Sequence, residues 1–185
     1  MRIIGGIHGG RRVTPPRKIP ARPTTDIAKE GLFNILNNYI DFEEVKFLDL
    51  FGGTGCISYE FASRGCEDIT LIELDVKSLR FIKETSDKLN LNINSLRMNV
   101  FKYIDICKES YDMIFAGPPY ALKNLPEIPD LIFSKGLLKK GGTFIMEHNP
   151  NHNFEDHPNF SRKRNYGSTI FAFFENIETH ESEEE

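Results

Sequence analysis

Two stretches of this chain carry residue types and spacings suited to chemistry. The first is Asp49-Leu50-Phe51-Gly52-Gly53-Thr54-Gly55, which follows an apolar run and opens a helical segment. Glycines at such a turn let the backbone bend sharply and approach a ligand closely, since no Cβ intervenes. Asp49 at the strand end can accept a hydrogen bond from an ammonium group or a bound water. Roughly twenty residues on, the next apolar run ends in Glu73-Leu74-Asp75, where a carboxylate can accept both hydroxyls of a ribose. The G-x-G-x-x-G pattern of pyrophosphate sites fails here, since Gly53 and Gly55 are followed by Ser58. A nucleoside without a diphosphate is therefore expected, and S-adenosylmethionine fits, with its amino-acid end at the glycine turn and its ribose on Glu73. Asn99 closes a third apolar run. A side-chain amide there either pairs with an adenine edge or forms a turn.

The second stretch is Phe115-Ala116-Gly117-Pro118-Pro119-Tyr120. It puts the carbonyls of Gly117 and Pro118 at a strand end beside Tyr120, an aromatic ring able to stack on a base. Glu147, at the end of a later apolar run, faces the same site or caps the sheet. Arg162-Lys163-Arg164 with Tyr166 touches RNA or forms a solvated strand end. His148, His152 and His157 lack the spacing of a structural zinc site, so no metal is expected. No Ser-His-Asp or Cys-His arrangement stands out.

The elements that must hold these residues are legible as a pattern. Apolar runs at 45–51, 69–73, 96–100, 113–116 and 143–147 read as strands, with helices between them at 55–63, 76–89 and 126–133. This alternation predicts βαβ units and a parallel sheet covered on both faces. Strands at 160–164 and 168–174, around Asn165-Tyr166-Gly167, add an antiparallel hairpin. Thr24 or Thr25 caps a helix running to about Tyr39, with Ile27, Leu32, Ile35, Leu36 and Tyr39 as its apolar stripe. Upstream, Arg2-Ile3-Ile4 and Arg12-Val13 can pair as a small hairpin. Pro15, Pro16, Pro20 and Pro23 then impose an extended path. The expected division is an arm over 1–23, a main domain over 24–176 and an acidic, disordered tail over 177–185.

Bulk properties set the class. The 185 residues, 39% apolar and 27% charged, suit one soluble domain with a small extension. No apolar run is long enough to span a bilayer, and the N-terminus has no signal-peptide core, so a cytoplasmic location is expected. Three scattered cysteines (Cys56, Cys66 and Cys107) read as reduced thiols. The net charge of −4 hides an asymmetry, with seven basic and two acidic side chains in residues 1–30. Such an arm binds phosphate or is merely solvated; charge alone does not choose.

Four blocks stand in order: Arg2-Ile3-Ile4-Gly5-Gly6 with Gly10-Arg11; Arg22-Pro23-Thr24-Thr25-Asp26 with Glu30, Leu32, Phe33 and Asn34; Asp49-x-Phe51-x-Gly53-x-Gly55; and Gly117-Pro118-Pro119-Tyr120. Together they closely resemble the bacterial methyltransferases that act on the exocyclic N2 of a guanine in 16S ribosomal RNA. The resemblance implies a Rossmann-like α/β fold: a seven-stranded, mostly parallel sheet with an antiparallel end hairpin and a small N-terminal hairpin. It implies that Asp49, Phe51, Gly53, Gly55, Glu73, Asn99 and Val100 bind S-adenosylmethionine. It implies that Arg2, Arg11, Arg12, Arg22, Thr24 and Thr25 face RNA, and that the substrate is the small ribosomal subunit or an assembly intermediate. Gly117, Pro118, Pro119 and Tyr120 would form the catalytic motif. In the family pattern an Asp stands where this chain has Gly117, and it accepts a hydrogen bond from the target amine. Loss of one such preorganised group lowers turnover by roughly 10²–10³-fold in comparable sites, so slowed catalysis is expected. The alternatives are a non-catalytic RNA-binding assembly factor and an N6-adenine- or glutamine-directed methyltransferase.

Overall fold

A computed structural model describes residues 1–177; residues 178–185, most of the expected acidic tail, lie outside them. Seven strands form one sheet in the order β3-β2-β1-β4-β5-β7-β6. They are β1 (Lys46–Leu50), β2 (Asp68–Glu73), β3 (Asn94–Arg97), β4 (Tyr111–Ala116), β5 (Leu138–His148), β6 (Phe160–Tyr166) and β7 (Thr169–Glu175). The first five are parallel. β7 runs antiparallel to β5 and to β6, which gives the expected end hairpin. Among the described residues five α-helices, α1 (Asp26–Leu36), α2 (Cys56–Ser63), α3 (Val76–Leu89), α4 (Val100–Ile106) and α5 (Ile128–Ser134), connect or flank the strands.

Alternation along each strand divides the core between the two faces of the sheet. Leu48, Leu50, Ile114, Ala116, Phe144 and Met146 pack with residues of α4 and α5. Phe47, Met113, Phe115, Ile145, Phe171 and Phe173 pack with α1 and α2. Asp49 and Glu147 share the parity of this second set, so their side chains emerge on the α1/α2 face.

α1 begins where Thr25, in extended conformation, accepts a hydrogen bond from the Ala28 amide at 3.2 Å. Its buried face is Ala28, Lys29, Leu32, Phe33 and Leu36. This corrects the stripe expected from sequence: Ile27 is 77% exposed, because it points nearly opposite the centre of that face, and the helix stops short of Tyr39. Two further corrections concern strands. β3 ends at Arg97, and Asn99 caps a helix that the sequence reading missed; its Oδ1 accepts from the amides of Phe101 (2.9 Å) and Lys102 (3.2 Å). Val100 begins that helix and packs into the core. β5 starts five residues earlier than expected, running through Gly141 and Gly142, with a register irregularity opposite β4. Glycines in a strand interior mark such irregularities, and here they masked the strand.

The arm is docked onto the sheet domain. Arg2 and Arg12 form the expected antiparallel bridge. Ile3 and Val13 are buried against Tyr59 and Leu89. Beneath them lies a buried pair, Lys29 Nζ and Glu60 Oε1 at 3.6 Å, exposed by 1% and 0%. Glu60 accepts from the amides of Ile4 and Gly5, and Lys29 donates to the Arg2 carbonyl.

Candidate active site

The sheet order reverses direction between β1 and β4, and the crevice above the carboxyl ends of strands at such a point is where open α/β sheets bind ligands. A cavity of about 570 Å³ occupies it, within the range of small-molecule sites. Asp49 at the end of β1 is 2% exposed and accepts a hydrogen bond from Ser58 Oγ at 2.6 Å. Burial pushes its carboxyl up from 3.8 to about 7; the Ser58 hydrogen bond opposes this and the Glu73 charge adds to it.

The glycine turn follows. Gly53 has φ +59, and a Cβ there would lie 3.1 Å from the Ala21 methyl, so both conformation and space favour glycine. Phe51 adopts φ 61, an uncommon state for a bulky residue that occurs at ligand sites. Glu73 fixes the turn: its Oε2 accepts from the Gly53 amide at 2.7 Å and its Oε1 from the Asp75 amide at 2.8 Å. Each oxygen keeps a further lone pair for a ligand hydroxyl. Thr54 and Ser78 line the cavity with buried hydroxyls that have no partner. Buried polar groups are normally satisfied, so these two fit a polar ligand. Together, the Asp49 carboxylate, the Gly53 cradle, the Glu73 lone pairs and the orphan hydroxyls suit S-adenosylmethionine in chemistry.

The opposite wall is the end of β4 with the motif residues. The Gly117 amide donates to the Leu50 carbonyl at 3.2 Å, tying the motif to β1. Gly117 does not have the left-handed φ that demands glycine, and a Cβ there would meet the Phe115 ring at 3.2 Å. Tyr120 donates its hydroxyl to Glu147 Oε1 at 2.8 Å. Burial first, then the Glu147 charge, raises the Tyr120 phenol above its ordinary value, while the Arg22 charge opposes this. Thr24 donates to Glu147 Oε2 at 2.6 Å. The Pro20–Thr25 stretch and the turn from Tyr166 to Thr169 close the remaining sides.

The structure thus brings Asp49, Phe51, Gly53, Glu73, Arg22, Thr24, Thr25, Gly117, Pro118, Pro119 and Tyr120 around one cavity. It does not bring Gly55, Asn99 or Val100 to the lining. Gly55 is the N-terminal cap of α2, and the Asn99 carbonyl oxygen is committed to capping α4. Arg2, Arg11 and Arg12 are exposed on the arm, away from the lining. Of the cluster 162–164, Arg162 lies over the rings of Tyr39 and Phe173 and Lys163 pairs with Glu155 at 2.7 Å. Of Glu147's two readings, the structure selects the one that faces the site. Sequence reasoning missed Thr54 and Ser78; two hydroxyls flanking a glycine turn and a helix start were the available signal.

The family model described as Conserved hypothetical protein 95 matches residues 1–175. An Escherichia coli relative named Ribosomal RNA small subunit methyltransferase D is 31% identical over 148 residues, 80% of this chain and 74% of the relative. The chain belongs to this family of bacterial rRNA methyltransferases. As a member it is an enzyme of the methyltransferase class. A solved hypothetical protein of Thermus thermophilus superposes with a TM-score of 0.82 at 27% identity, covering 95% of this chain and 99% of that one. A Thermus thermophilus 16S rRNA N2 methyltransferase, solved with AdoMet and guanosine, has a TM-score of 0.66 at 20% identity, over 83% of this chain and 44% of that one. At that identity the likeness establishes the Rossmann-like methyltransferase fold alone. Among the described residues no helix is long and apolar enough to cross a membrane.

Proposed function

We propose that this enzyme transfers a methyl group from S-adenosylmethionine to the exocyclic N2 of a guanine in 16S ribosomal RNA, within the small subunit or its assembly intermediate. The observation that carries this reading is the single cavity in which the glycine turn and Glu73 face the Gly117–Tyr120 motif. Asp49 accepts from the cofactor's ammonium, Glu73 from its ribose, and Thr54 and Ser78 donate to its remaining polar atoms. When bound, the cofactor supplies a methyl on a sulfonium sulfur: the guanine nitrogen's lone pair forms the N–C bond while the C–S electrons return to sulfur.

The protein's own residues act on the nitrogen. The lone pair of an exocyclic amine is delocalised into the base, so acceptors for its N–H groups favour a pyramidal, reactive nitrogen. The carbonyls of Gly117 and Pro118 are fixed by the proline pair and the Leu50 hydrogen bond. Tyr120 stacks on the base, a contact of about 1–3 kcal/mol. Positioning of this kind is the main lever in an in-line transfer. Arg22 lines the cavity, and the exposed Arg2, Arg11 and Arg12 of the arm, away from the lining, would meet RNA phosphates beyond the target base.

The test is tritium transfer from labelled cofactor to small subunits purified from cells lacking this protein, followed by mapping of the modified nucleotide. Label at N2 of one guanine is expected. Label on adenine N6, or binding of subunits without transfer, overturns the reading; the latter outcome is that of an assembly factor.

A further inference from the structure

Glu147 is a carboxylate in an unusual position. It is 8% exposed, and among the described residues no ion pair reaches it. Its two partners are neutral hydroxyls, Tyr120 at 2.8 Å and Thr24 at 2.6 Å. A buried charge is costly unless paired or fully hydrogen-bonded, and holding two hydroxyls needs only an uncharged acceptor. Each oxygen has accepted one hydrogen bond, so further lone pairs remain on the side of the cavity that Glu147 lines.

Its place in the sheet shows what those lone pairs face. β4 and β5 are parallel, and their last paired positions are Ala116 and Met146. One rung further, Gly117 and Glu147 stand side by side on strands roughly 4.8 Å apart. Parity puts both side-chain directions on the α1/α2 face, where a Cβ on Gly117 would meet the Phe115 ring. A carboxylate built at 117 and the carboxylate of Glu147 would therefore converge on one spot above Tyr120. The glutamate is one methylene longer than the missing aspartate and starts one strand away.

We infer that Glu147 is a catalytic residue of this enzyme, supplying from β5 the carboxylate that the motif lacks at position 117. The inference rests on the guanine-N2 reading above. Glu147 accepts a hydrogen bond from one N–H of the target amine while a motif carbonyl accepts the other. Its negative charge faces the nitrogen as that atom turns cationic, which stabilises the transition state electrostatically. The methylated nitrogen then loses one proton, which passes to a Glu147 oxygen and on to solvent.

The test compares guanosine with inosine, which lacks the amine, in equilibrium binding to the protein saturated with S-adenosylhomocysteine. The wild-type protein should prefer guanosine by on the order of tenfold, the usual effect of one buried acceptor left without its donor. Glu147→Gln should abolish the preference, and adding Gly117→Asp to that variant should restore it. Tyr120→Phe, which removes the phenol that Glu147 holds, should leave the preference in place. Unchanged S-adenosylhomocysteine affinity and melting temperature in each variant certify the fold. If the wild-type protein shows no preference, the guanine-N2 reading itself falls. If Glu147→Gln keeps the preference, or if Gly117→Asp fails to restore it, the inference is overturned and Glu147 merely positions Tyr120. Turnover should follow the same cycle: Gly117→Asp alone changes methyl transfer by less than about tenfold, but raises it by about 10²-fold in the Glu147→Gln background.

Discussion

Asp49 sets the pH behaviour of the site. Its folded value of about 7 lies above the ordinary 3.8. Its contribution to stability is thus complete below about 3.8 and is lost as the pH rises through about 7. A cation held against the carboxylate favours the charged form, so cofactor binding should expel a proton near neutrality. S-adenosylmethionine affinity should rise between pH 6 and 8, roughly one unit either side of that value. Calorimetry in buffers of different ionisation enthalpy should detect the released proton, and Asp49→Asn should abolish both effects. Glu73 acts at the same scale but through shape, because it holds two turn amides. Glu73→Gln puts an N–H against one of them, so cofactor affinity should fall by at least about tenfold, readable in the same titration. The Asp49 and Glu73 positions were legible from a glycine turn and a spacing. Their longer-range hydrogen bonds were not, since Ser58 meets Asp49 and Gly53 meets Glu73 only after the chain has folded.

At the scale of elements, the N-terminal arm is part of the domain's core rather than an appendage. Lys29 lies on α1 and Glu60 on α2, and neither reads as buried in the sequence. Lys29→Ala leaves Glu60 buried without its cation and should cost about 3–5 kcal/mol in denaturant unfolding. It should also speed hydrogen exchange at the amides of Ile3 and Val13, which bond to Arg11 and Met1 across the hairpin. Thr25→Ala removes the α1 cap and should cost about 1 kcal/mol. It leaves the Thr24–Glu147 hydrogen bond intact, so melting should change more than guanosine binding. The missed α4 has a related origin. Asn99 followed by Val-Phe is both a cap signal and the tail of an apolar run, and only packing of Val100, Tyr103 and Ile104 into the core decides for the helix.

At the scale of the whole molecule, the exposed arginines of the arm and the cavity mouth should govern RNA affinity without governing the fold. Replacing Arg11, Arg12 and Arg22 by Gln should reduce the slope of log affinity against log salt by about 2, from roughly 0.7 per lost single-strand phosphate contact. Melting temperature should stay constant, because all three side chains are exposed. A larger loss of slope, or none, would place the RNA on another surface.

The sequence by itself determined the strand–helix alternation, the parallel sheet with its antiparallel end, the glycine turn, the acid after it and the motif ending in Tyr120. These are local patterns, readable because apolar periodicity and glycine chemistry act over a few residues. Only the tertiary structure decided that Thr24, Tyr120 and Glu147 meet. They lie up to 123 residues apart, and what joins them is the sheet order, which sets β5 beside β4 and lays the Pro20–Thr25 stretch across both ends. The same placement turns Gly117 from a missing acid into a position beside an acid on the next strand.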